Sequence, residues 1–390
     1  MKTLIELFDE RPLENMLATE MFRPERTIFV CSKEAAENRT LQRKMRTYLA
    51  HRGIATELVF RRAGLYNAAE ILETLRSIVS EYPDCILDIT GGTDDALFAA
   101  GELCAENQTM PVFTYSRRKN RFYNIHNALF AEGLACTVQY GVEDFILMAG
   151  GALHQGRVDN SILADYMDCI EPYFRLYLKH RREWVKGVDF LQQISRPPSE
   201  DVIPLHVEGS FDQKGERGSR IQAPVSLLED FEEIGFITDL QIEEGERVEF
   251  TFADQQIRTW MRDVGSVLEL YVYKTCLETG VFDDVMTSAI VDWEGEEDRI
   301  GVTNEIDVVA TRGVVPVFIS CKTSEVKTEA LNELSILRDR FGGEMARAVL
   351  ITTRNTANIT RRRAMELRID ILDLKDITSR AFRTRIARLV

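Results

Sequence analysis

Between residues 27 and 125 the apolar positions follow two alternating rhythms. Short runs rich in β-branched and aromatic residues predict strands: TIFVCS (27–32), TELVFR (56–61), CILDIT (85–90) and PVFTYS (111–116). Between them, residues 34–53, 67–82 and 95–107 repeat apolar side chains at helical spacing. Strand–helix alternation builds a parallel, doubly wound sheet, because each crossover helix covers one sheet face. RFYNIH (121–126) predicts an antiparallel strand closing a hairpin with 111–116.

Residues 160–245 are less regular. Helical pattern runs from Asp165 to Ile194 and is broken by SRPPSED (195–201), and the polar, Gly-containing stretch 210–222 reads as a loop. This span is expected to be a connecting helical or winged module. From 255 the pattern becomes regular again. One long helix is expected to end at Gly280, a C-capping residue. Strands follow at 285–293, 305–311 and 315–322, with Arg312-Gly313 as a tight turn. Helix 326–341, strand 348–353, helix 357–367 and a final strand and helix complete the chain.

Composition narrows the class. Hydrophobic residues make up 45% of the 390, enough for real cores, and no apolar run approaches a membrane span. The opening MKTLIELFDERPLENML is interrupted by acids and lacks a signal-peptide pattern. The 7 cysteines form no CxxC pair, which points to a reducing, cytoplasmic setting rather than a zinc site or disulfide framework. A net charge of −15 argues against a general coating protein for nucleic acid, but not against an enzyme with a local basic patch. The last 44 residues carry 11 Lys/Arg against 4 Asp/Glu, including Arg361-Arg362-Arg363, either as a solvated helix face or as phosphate contacts.

The chemistry concentrates on the hairpin near the C-terminus. Asp307 and Lys322 lie near facing strand ends, and Glu305, two residues before Asp307, shares its strand face. Lys322 shares a face with Ser320, and Glu269 lies on the preceding helix. Carboxylate oxygens suit Mg2+ or Mn2+, and a lysine beside them can orient water or neutralise phosphate charge. This helix–hairpin–strand–helix–strand order, with the spacing Asp-x12-Ser-x-Lys, resembles the PD-(D/E)xK nuclease superfamily over about 255–375. The resemblance makes Asp307 the motif aspartate, Lys322 the motif lysine and Glu269 the first-helix glutamate. Ser320 departs from it, standing where Glu or Gln is usual. Glu305, Glu333 or the backbone carbonyl of Cys321 can supply the missing metal ligand. Cys321 itself is expected to be a buried filler, since no histidine follows residue 206 to activate it.

In the N-terminal part, Asp88-Ile-Thr-Gly-Gly-Thr-Asp-Asp follows a buried strand and opens a helix. Gly91 and Gly92 let backbone amides approach an anion, the helix N-terminus favours negative charge, and Thr90 and Thr93 add hydroxyl donors. Neither a Walker lysine nor GxGxxG is present, which argues against ATP hydrolysis and dinucleotide redox chemistry. The turn Thr90–Thr93 and the strand–helix order resemble CARF domains, sensors of cyclic oligoadenylates in type III CRISPR defence, over roughly 1–150. In that family a second ligand loop follows the first strand, matched here by Cys31, Ser32 and Lys33.

These resemblances imply an α/β protein in three parts: a Rossmann-like CARF domain (1–150), the connecting module (151–250) and a restriction-endonuclease-like domain (251–390). They further imply a homodimer activated by a cyclic oligoadenylate, with cyclic tetra-adenylate favoured, cutting DNA or RNA with Mn2+ or Mg2+. Arg175-Leu-Tyr-Leu-Lys-His180 offers an alternative, resembling the R-x4-H spacing of HEPN ribonucleases, although Leu176 departs from the polar residue usual there. A non-enzymatic, ligand-responsive DNA-binding regulator is the remaining alternative.

Overall fold

The computed structural model describes residues 2–390 apart from 65, 157, 197–202, 216–218 and 295–300. The chain opens with β1 (Thr3–Leu7), α1 (Pro12–Phe22), β2 (Arg26–Cys31), α2 (Lys33–Glu37), α3 (Arg39–His51) and β3 (Glu57–Arg62). It continues through α4 (Ala68–Glu81), β4 (Cys85–Asp88), α5 (Asp94–Glu106), β5 (Val112–Ser116), β6 (Arg121–His126) and α6 (Val142–Met148). The first six strands form one sheet in the order β3-β2-β1-β4-β5-β6, parallel except for β6.

The centre of that sheet is β1, which the sequence pattern did not reveal. The acid inside TLIEL breaks the apolar run, yet Glu6 is buried together with its neighbours. A second correction concerns 34–53, expected as one helix. Asn38 ends α2 and caps α3, accepting the amide of Leu41 at 2.9 Å.

The middle segment holds β7 (Ala152–Gln155), α7 (Met167–His180), α8 (Trp184–Ile194), β8 (His206–Ser210), β9 (Asp212–Lys214), β10 (Arg220–Gln222), α9 (Val225–Glu233), β11 (Ile237–Glu243) and β12 (Arg247–Phe252). The expected loop at 210–222 contains a small hairpin instead, with Asp212 and Arg220 ion-paired across β9 and β10; its tip, 216–218, lies outside the described residues. The expected break at 195–201 also lies mostly outside them. Strands β8, β11 and β12 form a three-stranded antiparallel sheet, whereas β7 pairs with the C-terminal sheet.

That sheet belongs to α10 (Gln255–Met261), α11 (Ser266–Thr279), β13 (Asp284–Asp292), β14 (Thr303–Arg312), β15 (Val315–Lys322), α12 (Thr328–Phe341), β16 (Arg347–Thr352), α13 (Asn358–Glu366), β17 (Ile369–Leu372), α14 (Leu374–Ile377) and α15 (Phe382–Ala387). Its order is β17-β16-β15-β14-β13-β7. The single helix expected from 255 to 280 is two helices. Asp263 separates them, its Oδ2 accepting from the amides of Gly265 and Ser266 and from the Ser266 hydroxyl.

One continuous core joins the middle segment to the C-terminal sheet, with Trp184, Phe231 and Trp260 in the same cluster as Leu268, Val308 and Ile319. The N-terminal sheet is tied on by α6 and its approach. The amide of Tyr140 donates to the carbonyl of Gly313 at 3.0 Å, and that of Val142 to Asp284 at 2.8 Å. Lys44 of α3 donates to the carbonyls of Gly150 and Glu294, each at 2.6 Å. Among the described residues no helix is long and apolar enough to cross a membrane.

Across the N-terminal sheet the register aligns Phe60, Phe29, Glu6, Asp88 and Phe113 in one row. Two acids thus sit side by side among phenylalanines. Burial, with Asp88 beside it, pushes Glu6 well above the usual carboxylate range. Burial also pushes Asp88 up to about 7, against the pull of the Thr90 hydrogen bonds. A carboxyl whose pKa rises on folding holds its proton more tightly in the native state, so stability is greatest below the unfolded value and falls as pH rises towards the folded one. For Asp88 that window runs from 3.8 to about 7. Asp88→Asn keeps an acceptor for Thr90 and removes the ionisation. Its melting temperature relative to the native chain is expected to improve from about pH 4 to about pH 7 and to level off above that. A difference that stays constant with pH would contradict the buried-acid assignment.

Candidate active site and ligand site

The hairpin β14–β15 closes at Arg312↔Val315, where Gly313 has a φ of +55°. It stays paired as far as Val308↔Ile319 and then forks. Beyond the fork, β14 remains with β13, as in Glu305↔Ile290, while β15 continues along β16 to Lys322↔Thr352. The Asp307 carboxylate fills the fork. Its Oδ2 accepts from the backbone amide of Cys321 at 2.6 Å, the hydroxyl of Ser320 at 3.1 Å and Nζ of Lys322 at 3.1 Å. On β13, Ser288 adopts a φ of +51° and donates to Oε1 of Glu305 at 2.6 Å.

Glu269 approaches from the first turn of α11. A Cβ on Gly265 would stand 2.8 Å from its Oε1, so glycine there leaves room for the carboxyl. Burial, reinforced by Asp307, Asp263 and Glu305, pushes Glu269 well above its ordinary range. Burial alone would lower Lys322, but the adjacent Asp307 outweighs it, and the ammonium is held above its usual value. Burial drives the Cys321 thiol well up, with Asp307 and Glu269 adding to it, so it stays neutral, as expected of a filler. Glu333 on α12 accepts from Asn304 at 2.7 Å. It lines one cleft with Glu305, Asp307, Ser320 and Lys322.

Direct bonds therefore link Asp307, Ser320, Cys321 and Lys322, with Glu269, Glu305 and Glu333 around them. Ser288, Asn304 and Asp263 complete the surroundings and were not singled out in the sequence. The positive φ of Ser288 has no signal in residue type, while Asn304 directly precedes Glu305. The donor set is oxygen, and burial together with the neighbouring acids pushes Glu269 up, which suits a hard divalent cation. Among the described residues no three ligating side chains stand close enough to hold a metal by themselves. Backbone carbonyl and water would have to complete any coordination shell.

In the N-terminal sheet the strand order reverses between β1 and β4, the place where open α/β sheets bind ligands at the carboxyl ends of their strands. The loops facing each other there are Phe8–Arg11 and Ile89–Thr93. Gly92 has a φ of +93°, and a Cβ on it would lie 2.7 Å from Cβ of Leu7. Its amide donates to Asp9 at 3.2 Å. The loop after the first strand is thus Phe8–Arg11. Cys31, Ser32 and Lys33 follow the second strand, because β1 precedes it. Cys31 is buried, with its thiol directed at the carbonyl of Arg61, and Ser32 caps α2. The exposed Lys33 lies 4.0 Å from Glu37.

The hydroxyls of the turn have partners within the chain. Thr90 donates to Asp88 at 2.5 Å and accepts the amide of Tyr115 at 2.9 Å, and Thr93 caps α5. Both hydroxyls serve the turn itself. What the turn offers an anion is backbone N–H groups at the start of α5.

The alternative pair on α7 does not converge. Five residues turn an α-helix through about 500°, which points the two side chains roughly 140° apart. His180 is buried between Glu183 at 2.9 Å and Asp230 at 2.5 Å, while exposed Arg175 pairs with Glu171.

Residues 258–382 match the family model of the Card1-like endonuclease domain. Over its whole length the chain is similar in fold to protein VC1899 from Vibrio cholerae, with a TM-score of 0.74 at 18% identity, covering 99% of this chain and 97% of that one. It is likewise similar to Can2 from Sulfobacillus thermosulfidooxidans, solved in complex with cyclic tetra-adenylate, with a TM-score of 0.69 at 17% identity, covering 100% and 98%. No curated protein sequence matches the chain. The two-sheet α/β fold expected from the sequence is the fold these structures share. Glu269, Glu305, Asp307, Ser320, Lys322 and Glu333 all lie within residues 258–382, the part of the chain similar to the Card1-like endonuclease domain.

Proposed function

We propose that this endonuclease is metal-dependent and is switched on by a cyclic oligoadenylate, cyclic tetra-adenylate being favoured, in type III CRISPR defence. The observation that carries the catalytic reading is the Asp307–Lys322 pair at the fork of the hairpin, inside the span matched by the endonuclease family. Support for the activator comes from the full-length likeness to Can2, whose structure holds cyclic tetra-adenylate, and from the paired loops at the strand-order reversal.

Asp307 and Glu269 are the side chains that would hold Mn2+ or Mg2+, with the carbonyl of Cys321 completing the protein's share and Glu305 adding negative charge nearby. Bound there, the cation would supply a hydroxide nucleophile and offset charge on the phosphate. Lys322 keeps its proton and offers the nearest positive charge to the attacked phosphodiester. Ser320 and the amide of Cys321 hold the Asp307 carboxylate in one orientation. Ser320 thus positions an acid where a glutamate would add one, and Glu269 makes up the difference.

The ligand loops Phe8–Arg11 and Thr90–Thr93 suit half of a symmetric ring, and two copies related by a two-fold axis would complete it. Exposed apolar side chains at the start of α5, Leu97 and Phe98, offer surface for such pairing.

Asp307→Ala is expected to reduce Mn2+-dependent cleavage at least about 10³-fold, and Lys322→Ala about 10²-fold or more, without changing activator binding. EDTA should abolish wild-type cleavage. Near-normal, EDTA-sensitive cleavage by Asp307→Ala would show that the active site lies elsewhere. Calorimetry is expected to give one cyclic tetra-adenylate per two chains. Gly92→Ala should weaken that binding at least about tenfold, since its added Cβ meets Leu7 at a positive φ. Absence of binding to any ring size would overturn the sensor reading.

A further inference from the structure

A nucleic-acid strand entering the Asp307 cleft meets Glu305 and Glu333 as well, on a chain whose net charge is −15. Lys322 is the single cation lining that cleft among the described residues, and it is already paired with Asp307. A polyanion needs further positive charge close by. The Arg361–Arg363 run is an obvious source in the sequence, but it is largely committed: Arg361 pairs with Asp373 at 2.6 Å, and Arg363 with Glu366 at 3.2 Å.

Uncommitted guanidinium groups stand nearer the site. Strands β15 and β16 run in parallel and end together, at Lys322 and Thr352. The next residue on one side is Thr323. Two residues on along the other side, exposed Arg354 donates from Nε to the carbonyl of Thr323 at 3.0 Å. That bond sets the guanidinium beside the residue following Lys322. Among the described residues its two terminal nitrogens have no acceptor, and no carboxylate lies within 4.0 Å.

A second arginine arrives from another layer of the molecule. The hydroxyls of Tyr177 on α7 and Thr353 lie 2.6 Å apart in a hydrogen bond, docking the end of α7 on the ends of β15 and β16. Arg181 follows directly on α7, also without a carboxylate partner among the described residues. Arg181 comes one helical turn after Tyr177 and Arg354 directly follows Thr353, so the Tyr177–Thr353 bond brings the two chain segments together. Lys179 and His180, by contrast, are taken up by Asp230.

We propose that Arg354 and Arg181 are positioning residues that grip the phosphodiester backbone beside the scissile bond and guide the strand from the middle layer into the Asp307 cleft. A planar guanidinium matches phosphate oxygens in bidentate fashion, and one fixed through Nε keeps its two outer nitrogens free for that role. The proposal rests on the endonuclease reading of Asp307 and Lys322. Its contribution is to substrate affinity and register rather than to bond breaking.

The test uses the full chain with Mn2+ and cyclic tetra-adenylate. Arg354→Gln, Arg181→Gln and the double variant are compared with wild type for kcat and KM on single-stranded DNA, and on RNA of the same sequence, across a salt series. Binding of the same labelled strands is measured in parallel by anisotropy in an Asp307→Asn background. Each single variant is expected to raise KM about tenfold with little change in kcat, and to flatten the dependence of log binding on log salt by about 1. Arg354→Lys should recover part of the affinity, since it restores charge without the fork. Unchanged melting temperatures would separate this from a structural role of the Thr323 bond. If wild type cleaves and both variants keep its KM, salt slope and strand affinity, the proposal is overturned while the endonuclease reading stands. If wild type does not cleave, the endonuclease reading fails, and the anisotropy series alone decides whether these arginines hold nucleic acid.

Discussion

The C-terminal half of the molecule is organised by one carboxylate at the point where a hairpin comes apart. Strands β14 and β15 must separate for a cleft to exist between them, and separation leaves backbone donors without ladder partners. Asp307 resolves this by accepting the Cys321 amide, while drawing Ser320 and Lys322 to the same oxygen. The left-handed backbone at Ser288 lies on the neighbouring strand, opposite the fork, and its hydroxyl holds Glu305 in place. The residues that open the sheet are thus the ones that carry its chemistry, and Glu269 is brought up against them from α11.

The N-terminal sheet is connected to that cleft through packing rather than through a flexible tether. Val314, at the hairpin turn, is buried in the N-terminal core, and Val142 and Ile146 of α6 are buried in the C-terminal one. Helix α12 spans the distance between the two sites. Glu333 lies in its second turn, on the cleft, and Asp339–Phe341 in its last, where they face Glu10–Leu13 and Phe145–Ala149. The loop after β1 therefore has the Ile89–Thr93 turn on one side and the end of α12 on the other. A ligand that moves this loop acts on an element that also lines the active site, the kind of physical contact that coupling between sites requires.

Much of this was legible because the relevant patterns are local. Alternating strands and helices, the hairpin turn at Gly313 and the Asp307/Lys322 spacing all express short-range periodicity or turn chemistry, and each has its counterpart in the structure. What was missed depends on partners distant in sequence. TLIEL reads as a broken apolar run because Glu6 is an acid; only its place beside Asp88, in the middle of a covered sheet, makes it a buried strand residue. Missing β1 also shifted the strand count: Phe8–Arg11 follows the first strand, and Cys31–Lys33 follows the second. Asp263 looked like an ordinary polar residue of a long helix, and its three hydrogen bonds instead end one helix and begin another. The partners of the Thr90 and Thr93 hydroxyls, Asp88, Tyr115 and the start of α5, likewise become visible only in three dimensions.

The central claim is that one chain joins a nucleotide-gated sheet to an endonuclease cleft. The most direct measurement is the initial rate of nucleic-acid cleavage by the purified full chain in Mn2+, titrated with cyclic tetra-adenylate from none to saturation. The account predicts a rate near background without the nucleotide, rising with its concentration and saturating at one ring per two chains. A cleavage rate that is the same at every concentration of every cyclic oligoadenylate would contradict it.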